Sequence, residues 1–543
     1  MIQRIGRKRF RIFAYDVESH NDSESLAKNE TSIWLSSFID DESKREDEAN
    51  YFYTIQSFLD RLEQLSQPKQ HHHVRQVNNI VVYDYNLSFE FSFLLPIMLE
   101  RGFKYKVEIN KEDSMVFNSV TNKSCASVWQ FQMKFGPKDG MVIFRDLSKI
   151  FPSGLANVAR SFGLKTQKGE IDYTINRLHG WKVTDEEKEY NFKDTRILID
   201  ILEIMQKRND PDFWKSCSAA TYSCRKLLKV AYPHAYKPMK IFRRDDQYPI
   251  LDDVESAFLR NSVAGGITYA PSRWQFKQIN QEISHLDLHQ AHPASAFFHL
   301  YPYGRGTYYK GNPPHDHFYI CCCHVLVSYS GVRLHSVIKL IGTDIATNVE
   351  LTLWDFEIET MKKAYFDLEV TYIDGYAYRS RFLPWRDYYK QNYLKRMEAK
   401  ANKDAFNVMY FKLLNNSSYG KFLEHGHSTY FENIINENGV IDSIEKPRDE
   451  ASLNASFTYL PVGSCIPAYT RCKLVESALK VGWESIVYFD TDSIFFIKTK
   501  ETDENAKRFL SIGEGLGQWG VEKTIKRGQF AAPKRYKIEE EQD

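Results

Sequence analysis

Alternation of apolar and polar positions divides the first part of the chain into strands and helices. The segments with a strand pattern, each ending close to an acidic residue, are 10–18, 78–86 and 139–147. Residues 184–205 have apolar positions at helical spacing, with Thr184 placed to cap and Glu187 three residues later. Strands that alternate with helices predict an α/β unit that ends near the polar stretch 207–211.

The rest of the chain is less regular. A strand-like run at 318–329 follows a loop rich in Pro, Gly and His, and residues 386–421 predict a helical hairpin. The charged residues of that hairpin are Arg386, Lys390, Lys395, Arg396, Lys400, Lys403, Lys412 and Lys421, against Asp387, Glu398 and Asp404. Eight minus three gives a local charge of +5. Such a run is either a solvated helix face or a surface that contacts phosphates.

Composition places the chain among ordinary globular proteins of several domains. It has 543 residues, of which 43% are hydrophobic and 26% charged, and its net charge is only +1. A globally basic nucleic-acid-binding protein is therefore excluded, and any such binding needs local patches. Eight cysteines, three of them consecutive at 321–323, favour a reducing compartment. No signal peptide is apparent, and the most apolar stretch, 89–99, is too short and too polar to span a membrane.

One acidic motif lies in an apolar setting near the end of the chain. In YFDTDSIFF, Asp490 and Asp492 are two residues apart, so an extended or tightly turned backbone directs both carboxylates to one side. Asp287 ends another strand-like run, in LDLHQAHP. Carboxylates in this pattern hold Mg²⁺ together with substrate phosphates, or else form an acidic surface turn.

Two basic motifs accompany these acids. Lys412, Asn416 and Tyr419 have the spacing of one helix face, where a lysine can contact a triphosphate and a tyrosine can stack on a base or sugar. Lys534 and Tyr536 are expected on one face of a strand, where the lysine can hold a primer phosphate.

A second acidic set lies in the predicted α/β unit. Asp16 and Glu18 are near a strand end, while Tyr190 and Asp194 are one turn apart on the predicted helix. The segment NLSFE, 86–90, lies between them in the chain. Two metals held by carboxylates can activate a water, and a tyrosine can orient it; surface charge is the alternative explanation for each pair.

Taken in order, D-x4-HP, K-x3-NSxYG, YxDTDS and KxY resemble the palm and fingers motifs of family B DNA polymerases. The resemblance implies that Asp287 and Asp490 hold two catalytic metals with Asp492 close by. It further implies substrate-binding roles for the motif residues. Those residues are Lys412 (triphosphate), Asn416, Tyr419 (nascent base pair), Lys534 (primer terminus) and Tyr536.

The second acidic set resembles the three motifs of DnaQ-like 3′→5′ proofreading exonucleases. The resemblance implies that Asp16, Glu18 and Asp194 are metal ligands or catalytic acids, and that Tyr190 positions the water. It also implies strand-contacting residues, which are Asn86, Phe89, Lys168 and Tyr173. The family normally has Asp where this chain has Glu90, so the expected ligand is one methylene longer.

Two inserted stretches are similar to those of the protein-primed branch, which copies linear genomes of podophages and linear plasmids. Residues 412 and 287 are 412 − 287 = 125 positions apart, more than a bare palm needs. VAGG at 263–266 resembles that branch's link between exonuclease and polymerase, with Val263 in place of a tyrosine. His292 stands where the family has the tyrosine that excludes the sugar 2′-OH.

We therefore expect an α/β and α+β multidomain chain in which an RNase H-like exonuclease precedes a family B polymerase. The expected borders are 1–212 for the exonuclease, 213–302 and 461–543 for the palm, 303–385 for the first insertion, 386–422 for the fingers and 423–460 for the second insertion. The chain ends seven residues after Tyr536, so the thumb of its relatives is expected to be missing or truncated.

The expected cofactors are two Mg²⁺ ions per active site, with Mn²⁺ as a substitute. The expected partners are primer–template DNA, deoxynucleoside triphosphates and a terminal protein, in the cytoplasm, or in a host's cytoplasm if the protein is viral. Three rivals remain open: a polymerase that extends nucleic-acid primers only, a thumb-less fragment active only as a nuclease, and a nucleic-acid-binding protein with a dead polymerase site. The cluster His315, His317, Cys321–Cys323 and His324 suits zinc by residue type, but its spacing favours buried thiols on a strand.

Overall fold

A computed structural model describes the chain except for a set of short segments. Those segments are 21–31, 72–73, 77, 122–126, 173, 176, 178–179, 315, 317, 337–342, 425–428, 436–440, 448–453 and 541–543. The chain divides into two compact units. The first consists of Met1–Arg225, Ala399–Leu413 and Thr429–Arg448, and the second of Lys226–Glu398, Leu414–Ser428 and Asp449–Asp543. This division does not test the expected domain borders, which stay predictions.

The strands of the described residues are numbered in chain order. They are β1 Ile2–Ile5, β2 Lys8–Ser19, β3 Ile33–Ile39, β4 Tyr51–Phe52, β5 Lys69–His71, β6 Val74–Gln76, β7 Asn79–Asp84, β8 Lys104–Tyr105, β9 Val116–Thr121, β10 Val128–Lys134, β11 Val142–Asp146, β12 Thr268–Tyr269, β13 Gln278–Ile279, β14 Ile283–Leu288, β15 Leu300–Lys310, β16 Tyr319–Tyr329, β17 Gly331–Val332, β18 Ala346–Trp354, β19 Tyr365–Phe366, β20 Glu369–Phe382, β21 Thr429–Ile435, β22 Ile441–Pro447, β23 Ile486–Asp490, β24 Ser493–Ile497, β25 Trp519–Ala532 and β26 Arg535–Glu540.

The α-helices are numbered in the same way. They are α1 Ile55–Ser66, α2 Leu87–Glu100, α3 Leu155–Ser161, α4 Asp185–Lys207, α5 Pro211–Trp214, α6 Ala219–Ala231, α7 Pro238–Phe242, α8 Asp253–Arg260, α9 Ala291–Phe298, α10 Asp355–Ala364, α11 Arg386–Ala401, α12 Ala405–Ser417, α13 Leu460–Gly482 and α14 Lys500–Phe509. Among the described residues, no helix is both long enough and apolar enough to cross a membrane.

The first unit is built on a nine-stranded sheet with the order β4-β3-β2-β7-β11-β10-β9-β8, and β1 pairs with β2. Its centre is parallel, because β7 pairs with both β2 and β11 in that sense. All six residues of β7, NIVVYD, are buried, as expected for a strand covered on both faces. The three predicted strands and the alternation with helices are confirmed.

Helix α4 packs on β2 and β3 and begins where the sequence predicts. The Thr184 hydroxyl accepts the Glu187 backbone N–H at 3.2 Å, and the Glu187 carboxylate accepts the Thr184 backbone N–H at 2.9 Å. The Ser37 hydroxyl lies 2.9 Å from that of Thr195, which fixes the helix across β3. This docking places one turn of α4 beside the strand that carries Asp16, because Ser37 is the register partner of Asp16.

The second unit contains an antiparallel seven-stranded sheet with the order β12-β23-β24-β14-β25-β13, and β26 pairs with β25. Strands β23 and β24 form a tight hairpin whose apolar residues are buried. The long helix α13 contributes more than a dozen buried residues to this unit. Apolar side chains of both hairpin strands and of α13 thus form one core behind the acidic turn.

A separate four-stranded sheet, β15-β20-β16-β18, covers most of the stretch 303–385 expected as the first insertion, although β15 already begins at Leu300. The thiols of Cys321, Cys322 and Cys323 are buried in β16, and burial raises the pKa of each. Buried, protonated thiols of this kind are the core residues predicted for the strand. His315 and His317 lie outside the described residues.

The basic hairpin predicted for 386–421 consists of α11 and α12. One part of that prediction is wrong: Lys412, Asn416 and Tyr419 do not share a helix, because α12 ends at Ser417 and Tyr419 begins a 3-10 helix over Tyr419–Leu423. Serine at the last positions competes for backbone hydrogen bonds, and Gly420 favours a change of backbone direction.

Candidate active sites

The acidic hairpin of the second unit has the form expected from YFDTDSIFF. Asp490 ends β23 and Ser493 begins β24, so the turn consists of Thr491 and Asp492. Thr491 has φ of 60°, and the Asp492 N–H donates to the Asp490 carbonyl at 2.6 Å. Both aspartates are half-buried at one end of the sheet.

Strand register brings the third aspartate to this turn. Ser493 is the register partner of Asp490 in β23 and of Asp287 in β14. Asp287 and Asp490 therefore flank one residue of the central strand. The Leu288 N–H donates to the Asp492 carbonyl at 2.8 Å, which fixes the turn against β14. The three sequence-predicted acids lie together.

The segment before β12 supports the turn from the other side. The Thr491 N–H donates to the Ile267 carbonyl at 2.6 Å. A Cβ on Gly266 would lie 2.7 Å from the Thr491 side chain, so this approach requires glycine. Buried Arg471 donates to the carbonyls of Ala264 and Gly265 at 2.7 and 2.8 Å. The VAGG link thus has a structural function that its glycine pair could have suggested, whereas Arg471 gave no sequence signal.

The prediction that Lys534 and Tyr536 share one strand face is wrong. Lys534 lies in the turn between β25 and β26 with φ of 58°, and Tyr536 follows in β26. The Tyr488 hydroxyl accepts the Lys534 backbone N–H at 2.7 Å, and the Lys534 ammonium forms an ion pair with Asp490. The turn conformation therefore directs the lysine to the acidic hairpin.

His292 lies beside Tyr419. Their ring centroids are 4.7 Å apart with the rings edge to face, and His292 Nδ1 is 3.0 Å from the Thr470 hydroxyl. Burial, followed by the charge of Arg471, lowers the pKa of His292 to about 4. The imidazole is thus neutral near pH 7 and held in a fixed orientation.

A buried amide chain that sequence reasoning missed joins α11 and α12 to the loop after β14. The Asn392 side chain donates to Asn415 at 3.0 Å, and Asn415 donates to Gln290 at 2.6 Å. Gln290 is in the left-handed region with φ of 51°, between Asp287 and His292 in the chain. Asn415 is buried, whereas the motif residues Lys412 and Asn416 are exposed.

In the first unit, Asp16 on β2 contacts helix α4. The Asn191 amide donates to the Asp16 carboxylate at 2.7 Å, and the Lys168 ammonium donates to Asp194 at 2.6 Å. Lys168 also lies over the Tyr190 ring, 5.5 Å from its centroid. Asp16, Tyr190, Asp194 and Lys168 are therefore brought together as predicted, and Tyr173 lies outside the described residues.

Burial raises the pKa of the carboxyls of this site, and neighbouring acids add to the shift for Asp16 and Glu18. Burial, with the charge of Asp194, raises the pKa of Glu18 to about 7. The pKa of Asp16 is raised by burial and by the charges of Glu18 and Asp194. Burial also raises the pKa of Asp194, although Lys168 opposes that shift. Carboxyls in this state favour a bound cation or a shared proton over bare ionisation.

The segment 86–90 starts helix α2. Asn86 has φ of 80°, and its N–H donates to Asp146 at 3.1 Å, while Phe89 is exposed. Glu90 is buried, and one of its carboxylate oxygens has no hydrogen-bond partner among the described residues. Burial and the charges of Asp84 and Asp16 raise the pKa of Glu90, so it faces the same group of acids.

Two further acids of this group were missed. Asp84 ends β7 and Asp146 ends β11, and they are register partners in the parallel pair. Both Asp84 oxygens are buried without a partner among the described residues, whereas Asp146 caps the turn that follows it. The sequence offered one signal for these two residues, because each acid stands at the end of an apolar run that predicts a strand.

Among the described residues, no three His, Cys, Asp or Glu side chains form a ready-made metal site. Lysines instead pair with one acid at each site, Lys534 with Asp490 and Lys168 with Asp194. The donor sets nevertheless suit Mg²⁺, which takes carboxylate oxygens and keeps several waters. One carboxylate oxygen of Asp194 and one of Glu90 have no hydrogen-bond partner in the described part of the chain, which leaves lone pairs for an ion at the first site.

Comparison with known proteins identifies the class. A family described as DNA polymerase type B, organellar and viral, matches residues 175–509, which is more than half of the chain. The chain belongs to this family of type B DNA polymerases. The family resemblance found in the sequence is therefore confirmed.

Two phage proteins illustrate the similarity. The DNA polymerase of Bacillus phage M2 is 26% identical over 475 residues, covering 84% of this chain and 77% of its own. The DNA polymerase of Streptococcus phage Cp-1 is 23% identical over 555 residues, covering 97% and 88%. The solved structure of phi29 DNA polymerase with primer–template DNA has a TM-score of 0.77 at 23% identity, covering 97% of this chain and 87% of that one. The family B polymerase fold is therefore established.

Proposed function

We propose that this type B DNA polymerase joins nucleotides at Asp287, Asp490 and Asp492, and that its first unit is a 3′→5′ proofreading exonuclease. The observation that carries the proposal is the register of the second sheet, in which Asp287 and Asp490 flank Ser493. That arrangement gives two carboxylates, from the strands on either side of β24, a common opening at the end of the sheet.

The residues of the polymerase site have distinct roles in this proposal. Asp287, Asp490 and Asp492 would hold two Mg²⁺ ions, or Mn²⁺ in their place, and these ions would neutralise charge on the reacting phosphates. Lys534, which forms an ion pair with Asp490, moves to the primer-terminal phosphate when DNA binds. The phosphate then replaces the carboxylate as the partner of the lysine's positive charge. His292 and Tyr419 contact the sugar and the nascent base pair, and exposed Lys412 contacts the triphosphate.

The proposed exonuclease uses the acids gathered at β2 and α4. Asp16, Glu18, Glu90 and Asp194 would hold the divalent ions, which activate the attacking water when bound. Tyr190 orients that water, and Asn86 and Phe89 contact the unpaired strand. Asn191 fixes the Asp16 carboxylate through the hydrogen bond of 2.7 Å.

Primer–template DNA and deoxynucleoside triphosphates are the proposed substrates, because phi29 DNA polymerase has been solved in complex with primer–template DNA and incoming nucleotide substrates. We further propose protein-primed replication with strand displacement, in which a terminal protein provides the first hydroxyl. The separate sheet β15-β20-β16-β18 supports this branch, because it is inserted between the strand of Asp287 and helix α11.

Incubation of the purified chain with Mg²⁺ tests both parts of the proposal. Extension of a DNA primer and degradation of an unpaired 3′ end are expected in one preparation. A candidate terminal protein with one labelled nucleotide should give a covalent protein–nucleotide band. Primer extension without that band would favour a polymerase that extends nucleic-acid primers only, and degradation without extension would leave a nuclease.

A further inference from the structure

The turn after β14 leads the chain from the strand of Asp287 into helix α9. The strand ends at Leu288, and the next residue is still held by the second sheet, because the His289 N–H donates to the Gln518 carbonyl at 2.9 Å. Gln290 then adopts the left-handed region, with φ of 51° and ψ of 59°, and begins the helix. A side chain is crowded in this region, so the turn needs support from elsewhere in the structure.

The support for Gln290 comes from helix α12. The buried Asn415 side chain donates to the Tyr389 carbonyl at 3.0 Å and to Gln290 Oε1 at 2.6 Å. A backbone carbonyl can only accept, so the NH₂ group of Asn415 must face Tyr389, and Gln290 must present its oxygen to the second hydrogen. Gln290 Nε2 is buried and has no partner among the described residues, so within that part of the chain only Asn415 forms a hydrogen bond with this side chain.

The same hydrogen bond links the two residues proposed to contact the incoming nucleotide. His292 is the second residue of α9, and Tyr419 follows Asn415 by four residues. Their rings meet edge to face with centroids 4.7 Å apart. The bond between Asn415 and Gln290 therefore joins the end of α12, just before Tyr419, to the start of the helix that carries His292. All of these residues belong to the second unit.

We propose that Asn415, acting through Gln290, is a positioning residue that sets His292 against Tyr419 and so determines how the sugar of the incoming nucleotide is held. The proposal rests on the polymerase function proposed for the second unit. Asp287 is fixed independently, because β14 is paired with β24 on one side and with β25 on the other. A change at Asn415 should therefore disturb nucleotide binding and spare the metal ligand.

The experiment measures nucleotide binding without chemistry. The full chain is bound to primer–template DNA whose primer lacks a 3′-hydroxyl, in Ca²⁺, with 2-aminopurine in the template as a fluorescent reporter. Asn415→Leu, which is similar in size but forms no hydrogen bond, should raise the Kd of the matched deoxynucleoside triphosphate roughly tenfold. It should also change the ratio of that Kd to the Kd of the ribonucleotide. Loss of folded protein would only lower the signal amplitude and leave both Kd values unchanged.

Gln290→Gly tests whether Asn415 acts through the turn. Glycine adopts a positive φ without a supporting partner, so this variant should keep its Kd within roughly threefold of the wild-type value. Adding Asn415→Leu to Gln290→Gly should then cause no further loss. Independent sites give additive free energies, so a double variant whose loss is the product of the two single losses would overturn the proposal.

Asn392→Leu is the matched control. Asn392 is a buried asparagine of the same hairpin, and its side chain donates to Asn415 at 3.0 Å. The change removes a similar buried hydrogen bond but leaves the one between Asn415 and Gln290. It should lower the free energy of unfolding, measured by denaturant titration, with a Kd close to that of the wild type. An equal rise in Kd for Asn392→Leu and Asn415→Leu would assign the effect to packing of the hairpin and contradict the proposal.

Nucleotide incorporation in Mg²⁺ on an extendable primer is measured separately. Nucleotide binding without incorporation by the wild type would refute the proposed polymerase function, while the Kd values would still test the role of Asn415. A folded Asn415→Leu variant with wild-type Kd values would overturn the positioning role and leave the polymerase function standing.

Discussion

The two candidate sites gather acids in different ways. In the first unit, Asp16, Asp84 and Asp146 come from three neighbouring strands with a parallel centre, and Asp194 comes from a helix. Asp84 and Asp194 are buried, and burial together with the charge of Asp194 raises the pKa of Glu18 to about 7. Without a cation, protons and Lys168 limit the repulsion.

In the second unit, the acids lie at the open end of an antiparallel sheet. Asp287, Asp490 and Asp492 are half-buried, and Lys534 pairs with one of them. Each site pairs one acid with a lysine, and in the first site burial also raises the pKa of the acids and so favours shared protons. We expect the two sites to fail independently, and the following experiments test that separation.

The largest effect is expected for Asp490→Ala or Asp287→Ala. Each change removes a proposed metal ligand from one site only, so nucleotide incorporation should fall by roughly 10³-fold or more while 3′ degradation is largely retained. Primer-extension and degradation assays on one preparation measure both. Equal loss of both activities in a folded variant would refute two separate sites.

The converse variant is Asp16→Ala with Glu18→Ala. Degradation of a labelled single strand should be lost, again by roughly 10³-fold, while synthesis persists, because both acids belong to the first unit. Degradation at the wild-type rate would show that another group performs the hydrolysis. Glu90→Asp serves as the conservative comparison and should match or improve the wild-type rate.

Lys412→Ala should raise the KM for nucleotides by about 10- to 150-fold with a smaller change in DNA binding. A charge-assisted hydrogen bond to the triphosphate contributes roughly 1.5–3 kcal/mol. Steady-state kinetics and duplex binding are compared in the same buffer. Weakened duplex binding with unchanged KM would place Lys412 on the path of the DNA.

Acidification should destabilise the second unit through His292. Its folded-state pKa of about 4 lies below the unfolded value near 6.5, so the neutral form stabilises the fold above pH 6.5 and this contribution is lost as pH falls towards 4. The free energy of unfolding should drop by about 2 kcal/mol between pH 7 and pH 5. His292→Tyr should flatten this slope, measured by denaturant titration at each pH, and an unchanged slope would contradict the assignment.

The smallest effect is expected on sugar selection. A tyrosine at 292 is larger than the imidazole, so His292→Tyr should increase the preference for deoxynucleotides over ribonucleotides by about tenfold, or about 1.4 kcal/mol. The ratio of kcat/KM for matched nucleotides is measured in both proteins. An identical ratio would mean that a different side chain excludes the 2′-OH.

The sequence by itself determined features that depend on neighbouring residues. The hairpin at YFDTDSIFF and the capped start of α4 follow from apolar spacing, turn residues and side chains three positions apart. Those signals act over one turn or one strand, so they are readable without a fold. The motif order then identified the family.

Only the tertiary structure decided which distant residues meet. The register that sets Asp287 and Asp490 on either side of Ser493 depends on pairing between strands about two hundred positions apart in the chain, which no local pattern encodes. Lys534 was misplaced on a strand, because a positive φ in a turn redirects its side chain. The roles of Asn415 and Gln290 were also missed, because a buried amide is recognisable only when the position of its hydrogen-bond partner is known.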